Sequence, residues 1–228
     1  MSNLRAGEFM MIFLRYESFR VYLRSYPVTS AIIALNMLFF IFVALNGGTT
    51  GGENLYRWGA FLTFHGDPYG LEEPWRYVTS VFMHAGFQHL LFNMFALLVF
   101  APPLERLLRS VKYGIFYLLC GLLGNLFSAV ITMLTEGGGG EFVHLSVGAS
   151  GAIYGVYGAY LYLSLFRKAW LDDASRKTVY LILGAGIIYS IILPTIDLWA
   201  HVGGGIAGFL MYGLFDRAMV RRQRIVRR

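Results

Sequence analysis

The sequence predicts an all-α polytopic membrane protein, a six-transmembrane-helix bundle with a structured first outer loop. Three observations carry this. Of 228 residues, 57% are hydrophobic and only 14% charged, with a mean hydropathy of +0.56, far from a soluble globular composition. Apolar runs near the ~20 residues needed to cross a bilayer recur six times, and a soluble chain has no core that could bury six in succession. Finally, when the runs are threaded in and out, 17 of the 19 basic residues fall on one side, the bias that orients membrane proteins.

The elements follow in order. An N-terminal arm, 1–27, carries Arg5, Arg15, Arg20 and Arg24. From Phe9 to Arg24 it mixes aromatic and basic residues, as an interfacial helix on the cytoplasmic surface would. Its apolar run from Phe9 to Leu14 is too short for a signal peptide, and no small-residue cleavage site follows. Span one covers 28–45. The outer segment 46–77 opens on two glycine pairs and carries Glu53, Asp67, Glu72 and Glu73; a connection of that length is expected to hold structure of its own. It closes on Pro74-Trp75-Arg76-Tyr77, which resembles an interfacial anchor. Span two is read at 78–100, and a loop with Arg106, Arg109 and Lys112 leads to span three at 113–134. The glycine tract 137–140 precedes a short, glycine-rich span four at 150–166. Arg167, Lys168, Arg176 and Lys177 mark the next loop, before span five at 178–194 and span six at 199–216. A basic cytoplasmic tail, 217–228, completes the chain, so the membrane domain is 28–216. Both termini are expected in the cytoplasm of a multi-pass cell-membrane protein, with a charge of about +11 inside and −5 outside. The net +6 is therefore a topology signal, and nucleic acid is not expected as a partner. The single cysteine, Cys120, rules out an internal disulfide, and without a CxxC pair neither structural zinc nor a redox pair is expected.

Polar side chains inside a span are costly, so each requires an account. His84, His89 and Asn93 lie in span two, Ser150 opens span four and His201 opens span six. All three spans run from outside to inside, so these residues are expected to converge near the outer leaflet, with His89 and Asn93 somewhat deeper. Gly151, Gly155 and Ala159 form a small-residue stripe on span four; Ala200, Gly204 and Gly208 form another on span six. Such stripes let two helix backbones approach closely in lipid. Packing them together would bring Ser150 and His201 within hydrogen-bond reach, as a serine nucleophile with an adjacent base requires. His89 and Asn93, spaced i, i+4, share a helix face and offer N–H groups for an oxyanion; the Ser150 backbone N–H at a helix start is a third donor. Tyr154, one turn after Ser150, is placed to pack on the His201 ring. No acid lies inside these spans near these groups, so a dyad is expected, with Asp197 out at the surface. Taken singly, each feature has a plainer reading. A serine at a glycine-rich helix start is usually a cap, glycine stripes are packing, His84 is structural with a bond to the outer loop, and His65 and His144 are solvated. The coincidence of Ser, His, His and Asn at compatible depths argues against the plain sum.

These residues resemble the rhomboid intramembrane serine proteases over most of the chain. Gly148-Ala-Ser150-Gly151-Ala-Ile-Tyr154-Gly155 resembles the family's nucleophile motif, and His84-x4-His89-x3-Asn93 its second-span motif. A-H-V-G-G-G-I-A-G from Ala200 fits its AHxxGxxxG pattern through His201, Gly204 and Gly208, and Trp75-Arg76 resembles its first-loop pair. The resemblance implies Ser150 as nucleophile, His201 as general base and then acid, His89 and Asn93 as oxyanion donors, and Tyr154 as the ring packed on His201. It also implies single-span transmembrane substrates cut near the outer face, in the bilayer, with no metal and no cofactor. Water would reach Ser150 through an outward-facing cavity. A catalytically silent chaperone or adaptor of the same fold should lack the serine or the histidine, and both are present. A transporter should show inverted repeats with broken helices, and none is evident. A soluble α/β-hydrolase needs a glycine where Ala152 stands and a strand before the serine. A membrane metalloprotease needs H-E-x-x-H, which is absent.

Overall fold

A computed structural model describes residues 12–138 and 140–226, with side chains as far as 218. The order is α1 (Phe19–Ser25), α2 (Pro27–Leu45), α3 (Gly52–Trp58), β1 (Phe61–Phe64), α4 (Arg76–Thr79), a 3-10 turn (Ser80–Phe82), α5 (Phe87–Leu108), α6 (Ser110–Glu136), β2 (Val143–Ser146), α7 (Ser150–Phe166), a second 3-10 turn (Lys168–Trp170), α8 (Asp173–Ile192) and α9 (Leu198–Val226). By length and composition, α2, α5, α6, α8 and α9 can each cross a bilayer. The 17-residue α7 is nearly enclosed by its neighbours, with twelve of its residues buried. The apolar side chains left exposed form the outside of the bundle: Leu35, Leu38 and Ile41 on α2, Leu181, Ile188 and Ile192 on α8, Leu210 and Leu214 on α9. In water such a band would drive aggregation; against hydrocarbon it costs nothing. The chain is a multi-pass, all-α membrane protein.

Glycine decides how the centre packs. Helices α6, α7 and α9 are in mutual contact, and α7 meets α9 backbone to backbone. A Cβ added at Gly204 would collide with the Gly151 carbonyl oxygen, one at Gly208 with the Gly155 carbonyl oxygen, and one at Gly158 with that of Gly205. On α6, a Cβ at Gly124 would stand 2.8 Å from the Ala200 carbonyl oxygen. The expected stripes are thus the contact surfaces, and van der Waals packing of bare backbone replaces the hydrophobic driving force that lipid cannot supply.

Several boundaries differ from expectation. Span two does not begin at 78: α4 and the 3-10 turn are followed by non-helical Met83–Gly86, and the helix starts only at Phe87. Gly86, at φ +87°, makes the bend, since residues with a side chain rarely adopt that backbone. The loop expected between spans two and three collapses to Arg109, held left-handed at φ +68°. Glu105, fully buried in α5, accepts the Val28 and Thr29 N–H groups at 3.0 and 2.8 Å, capping α2 from another helix. The arm also departs from an interfacial helix over Phe9 to Arg24. Residues 1–11 lie outside the described part, only Phe19–Ser25 is helical, and Phe13 is buried edge-on against Phe100 and Tyr160.

The outer loop is structured as expected, though not wholly helical. β1 pairs antiparallel with β2, Phe61 opposite Ser146 and Phe64 opposite Val143, tying the loop after α2 to the segment before α7. Arg76 is no interfacial anchor: it is buried, bonds Glu73 at 2.7 Å and the Tyr56 and Ala60 carbonyls, and lies 3.9 Å over the Tyr56 ring. It staples α3 to β1, while Trp75 stays half-exposed beside its guanidinium.

Because the obstacle at position 208 is backbone, it cannot rotate away. Gly208→Ala is expected to lower thermal stability in detergent by the ~1–3 kcal/mol typical of overpacking, or more. Gly184→Ala on α8, where nothing lies within 4 Å, should be neutral or gain up to ~1 kcal/mol. Differential scanning fluorimetry of both variants checks this.

Candidate active site

A cavity of about 580 Å³ opens where α5, α7, α8 and α9 meet beneath β2 and the α8–α9 loop. Ser150, His201, His89, Asn93, Tyr154 and Ser190 all line it. Ser150 is the first residue of α7, so its backbone N–H has no partner within the helix. His201 lies in the first turn of α9, and Gly151 faces the Ala200 carbonyl across the helix contact, 3.5 Å from where a Cβ would stand. The close approach of the backbones therefore sets where the two side chains sit. No hydrogen bond joins Ser150 Oγ to the His201 ring among the described residues. Such bonds are often long before substrate binds.

The His201 ring is fixed from two sides. Tyr154 stacks on it, ring centres 4.1 Å apart and planes within 10°. Ser190 of α8 holds Nδ1 at 2.8 Å through its hydroxyl. Tyr154 fits because α8 offers a glycine beside it: a Cβ at Gly186 would collide with the phenol oxygen. On the other wall His89 approaches the chain just before Ser150. Gly148, at φ +132°, leaves the room: a Cβ there would lie 2.8 Å from His89 Cε1 and Nε2 and 3.5 Å from Ser150 Oγ. The Gly148 N–H is anchored on the Ser80 carbonyl at 2.9 Å, and the Ser80 hydroxyl accepts from Asn125 Nδ2 at 2.9 Å. Asn93 donates to the His89 carbonyl at 3.1 Å, which leaves its second amide hydrogen for the cavity.

Not every candidate gathers here. His84 is buried with its ring edge-on to His89, centres 5.0 Å apart, and neither ring nitrogen has a hydrogen-bond partner among the described residues. The expected bond to the outer loop is made by backbone instead, Gly86 N–H to the Thr49 carbonyl. Trp75 and Arg76 stay in the loop, and Gly204 and Gly208 act one and two turns further along α9. Among the described residues no three of His, Cys, Asp and Glu gather as a metal site.

Asp197 and His144, expected at the surface and in solvent, are instead a pair. The Asp197 side chain is 13% exposed and His144 29%, with Nε2 to Oδ2 at 3.1 Å. Asp197 also accepts from the Ser128 hydroxyl at 2.7 Å and caps α9 through the Ala200 N–H at 2.9 Å. One carboxylate thus joins β2, α6 and the start of the helix bearing His201. Burial alone would push the Asp197 carboxyl up, but the His144 hydrogen bond and charge, with the Ala200 and Ser128 donors, hold it down at about 2. The Asp197 hydrogen bond raises the His144 imidazole above its ordinary value, despite burial, and the Asp197 and Glu136 charges add to this. Sequence reasoning missed this cluster because it weighed polar residues only within spans. It missed Ser190 because it sought partners only on spans two, four and six; the available signal was a lone serine in the apolar run from Leu181 to Ile192.

Known proteins resemble this chain in sequence. The Rhomboid domain model matches residues 71–217, well over half of the chain. YdcA of Bacillus subtilis, a protein assigned to the rhomboid proteases, is 34% identical over 211 residues, 92% of this chain and all of YdcA. The rhomboid protease GluP of the same organism is 34% identical over 185 residues, 79% of this chain but only 33% of GluP. The mitochondrial RHOMBOID-like protein 6 of Arabidopsis thaliana is 33% identical over 143 residues, 61% of this chain and 43% of that protein.

The Asp197–His144 pair carries a pH dependence. A raised histidine contributes stability below its ordinary value of about 6.5, lost as pH climbs through the raised one; a lowered carboxyl contributes above about 4, lost as pH falls toward 2. Between pH 4 and about 6.5 the pair is fully formed. Asp197→Asn is expected to lower the melting temperature by a few degrees at pH 5.5, and by less at pH 9, since the pair's contribution is lost as pH climbs through the raised His144 value. Thermal melts at both values test this; an equal loss would contradict it.

Proposed function

The chain belongs to the rhomboid family, and on that premise we propose that it is an intramembrane serine protease that cleaves single-span membrane proteins near the outer face of the cell membrane. The observation that carries the reading is the shared cavity: Ser150, at the start of α7, lies across the α7–α9 contact from a histidine whose ring is already fixed on two sides. The residue types match the chemistry of acyl transfer. His201 Nε2 takes the proton from Ser150 Oγ as the oxygen attacks the scissile carbonyl. His89, the free N–H of Asn93 and the Ser150 backbone N–H donate to the oxyanion that develops. Protonated His201 then gives its proton to the leaving amine. A water activated by the same imidazole releases the acyl group and restores the hydroxyl. Tyr154 keeps the ring in plane through both steps. Water is expected to reach the polar side chains that line this cavity, since bare polar groups facing lipid would be too costly.

For the termini, the basic residues decide the proposal. Arg106, Arg109, Lys112, Arg167 and Lys168 all lie at the end of the bundle opposite the cavity, which by the positive-inside bias is the cytoplasmic end. The cavity then faces outward, both termini lie inside, and the bilayer presents substrate helices sideways to the bundle. No bound metal or cofactor is called for in these steps.

Purified protein in detergent is expected to cut a model transmembrane substrate and to be labelled by a fluorophosphonate. Ser150→Ala and His201→Ala should each abolish cleavage, and Ser150→Ala should abolish labelling while leaving the melting temperature nearly unchanged. Asn93→Ala should retain the fold and lose about 10²–10³ in kcat, the scale of one oxyanion donor. Full cleavage by either dyad variant would overturn the mechanism. An inert wild type that still binds transmembrane segments would point to the silent adaptor.

A further inference from the structure

The general base in this reading is held by a hydroxyl from a helix that contributes little else to the core. We propose that Ser190 is a positioning residue that sets the tautomer of His201; the proposal rests on His201 acting as the base. Ser190 is buried, and its oxygen lies 2.8 Å from both the Gly186 carbonyl and His201 Nδ1. A serine hydroxyl has one hydrogen, and the Gly186 carbonyl, an acceptor only, takes it. Toward Nδ1 the Ser190 oxygen can then only accept. Nδ1 must carry the ring proton, and Nε2 is left with the lone pair that a serine nucleophile requires. In triad hydrolases the same position is filled by a carboxylate, and the wrong tautomer there costs about 10⁴ in kcat. Here no carboxylate bonds Nδ1 among the described residues: Asp197 spends its oxygens on His144, Ser128 and the Ala200 N–H.

Two further features fit this role. Gly186, one turn before Ser190, is the residue whose missing side chain admits the Tyr154 hydroxyl, so a single face of α8 seats both members of the stacked pair. That face is also nearly all α8 has inside the bundle: of its residues only Ser175, Val179 and Ser190 are buried. The outermost helix thereby governs the protonation geometry of the base. Without the α8 contact, Nδ1 would have no acceptor there and the ring would rest on Tyr154 alone.

The test uses protein labelled with 15N-histidine in detergent micelles, at a pH where the imidazoles are neutral, with the His201 signals assigned by their absence in His201→Gln. Wild type is expected to show one tautomer, Nδ1–H. Ser190→Ala should shift His201 to a mixture of tautomers and reduce kcat about tenfold, the scale of one orienting hydrogen bond, with KM within about twofold. Ser190→Thr keeps a hydroxyl able to bond the i−4 carbonyl and should restore both the single tautomer and the rate. Ser190→Ala with an unchanged His201 spectrum overturns the proposal, whatever its activity, as does failure of Ser190→Thr to restore the spectrum. An error in the dyad reading would appear differently, as undiminished cleavage by His201→Ala, and would leave the spectra as described.

Discussion

Everything at the centre of this protein depends on how near α7 comes to α9. Gly151, Gly155 and Gly158 on one helix face Gly204, Gly205 and Gly208 on the other, and a Cβ at several of these positions would strike a carbonyl oxygen. Contact of this kind fixes its register, because the backbones meet only where a glycine on one helix faces a carbonyl on the other. Since Ser150 and His201 begin their helices next to the first of these contacts, the same register that stabilises the bundle fixes how far apart they lie. Small residues are therefore not spacers around the cavity; they set its dimensions.

A second level of order comes from polar groups, which in a lipid-facing protein must be satisfied internally. At the cavity end, one carboxylate, Asp197, gathers β2, α6 and the α9 start, while Arg76 gathers α3 and β1. At the far end Glu105 caps α2 and Asp216 holds Arg167 and Tyr162. Each of these charged groups is met by hydrogen-bond donors, backbone carbonyls or an opposite charge, the condition under which burying it is tolerable.

How much of this was legible in the sequence follows from the physics of each signal. Hydropathy and charge bias depend only on composition along the chain, so the helices, the all-α class and the structured outer loop could be read directly. The small-residue stripes could be read too, because i, i+4 spacing survives into any helix. Boundaries at Phe87 and Arg109 could not, since they turn on a left-handed residue and a bend that hydropathy does not register. The cavity residues on α5, α7 and α9 were anticipated because polar side chains in apolar runs stand out. Ser190 stands out equally, but its partner is reached across helices, and a lone serine carries no spacing that points to it. His144 and Asp197 were misread because loop residues are ordinarily solvated; only the pairing of β1 with β2 folds that loop over the bundle.

The pairing of β1 with β2 has a consequence for how the molecule is made. The loop after α2 is synthesised early, yet its strand partner arrives only after α6, and the cavity's last wall arrives with α9. A nascent chain therefore inserts several helices while its polar cavity is still missing a side, and the early loop must wait unpaired. A chain interrupted before α9 holds Ser150 without the helix that faces it. A cavity walled by both α7 and α9 is thus closed only when the last helix is in place.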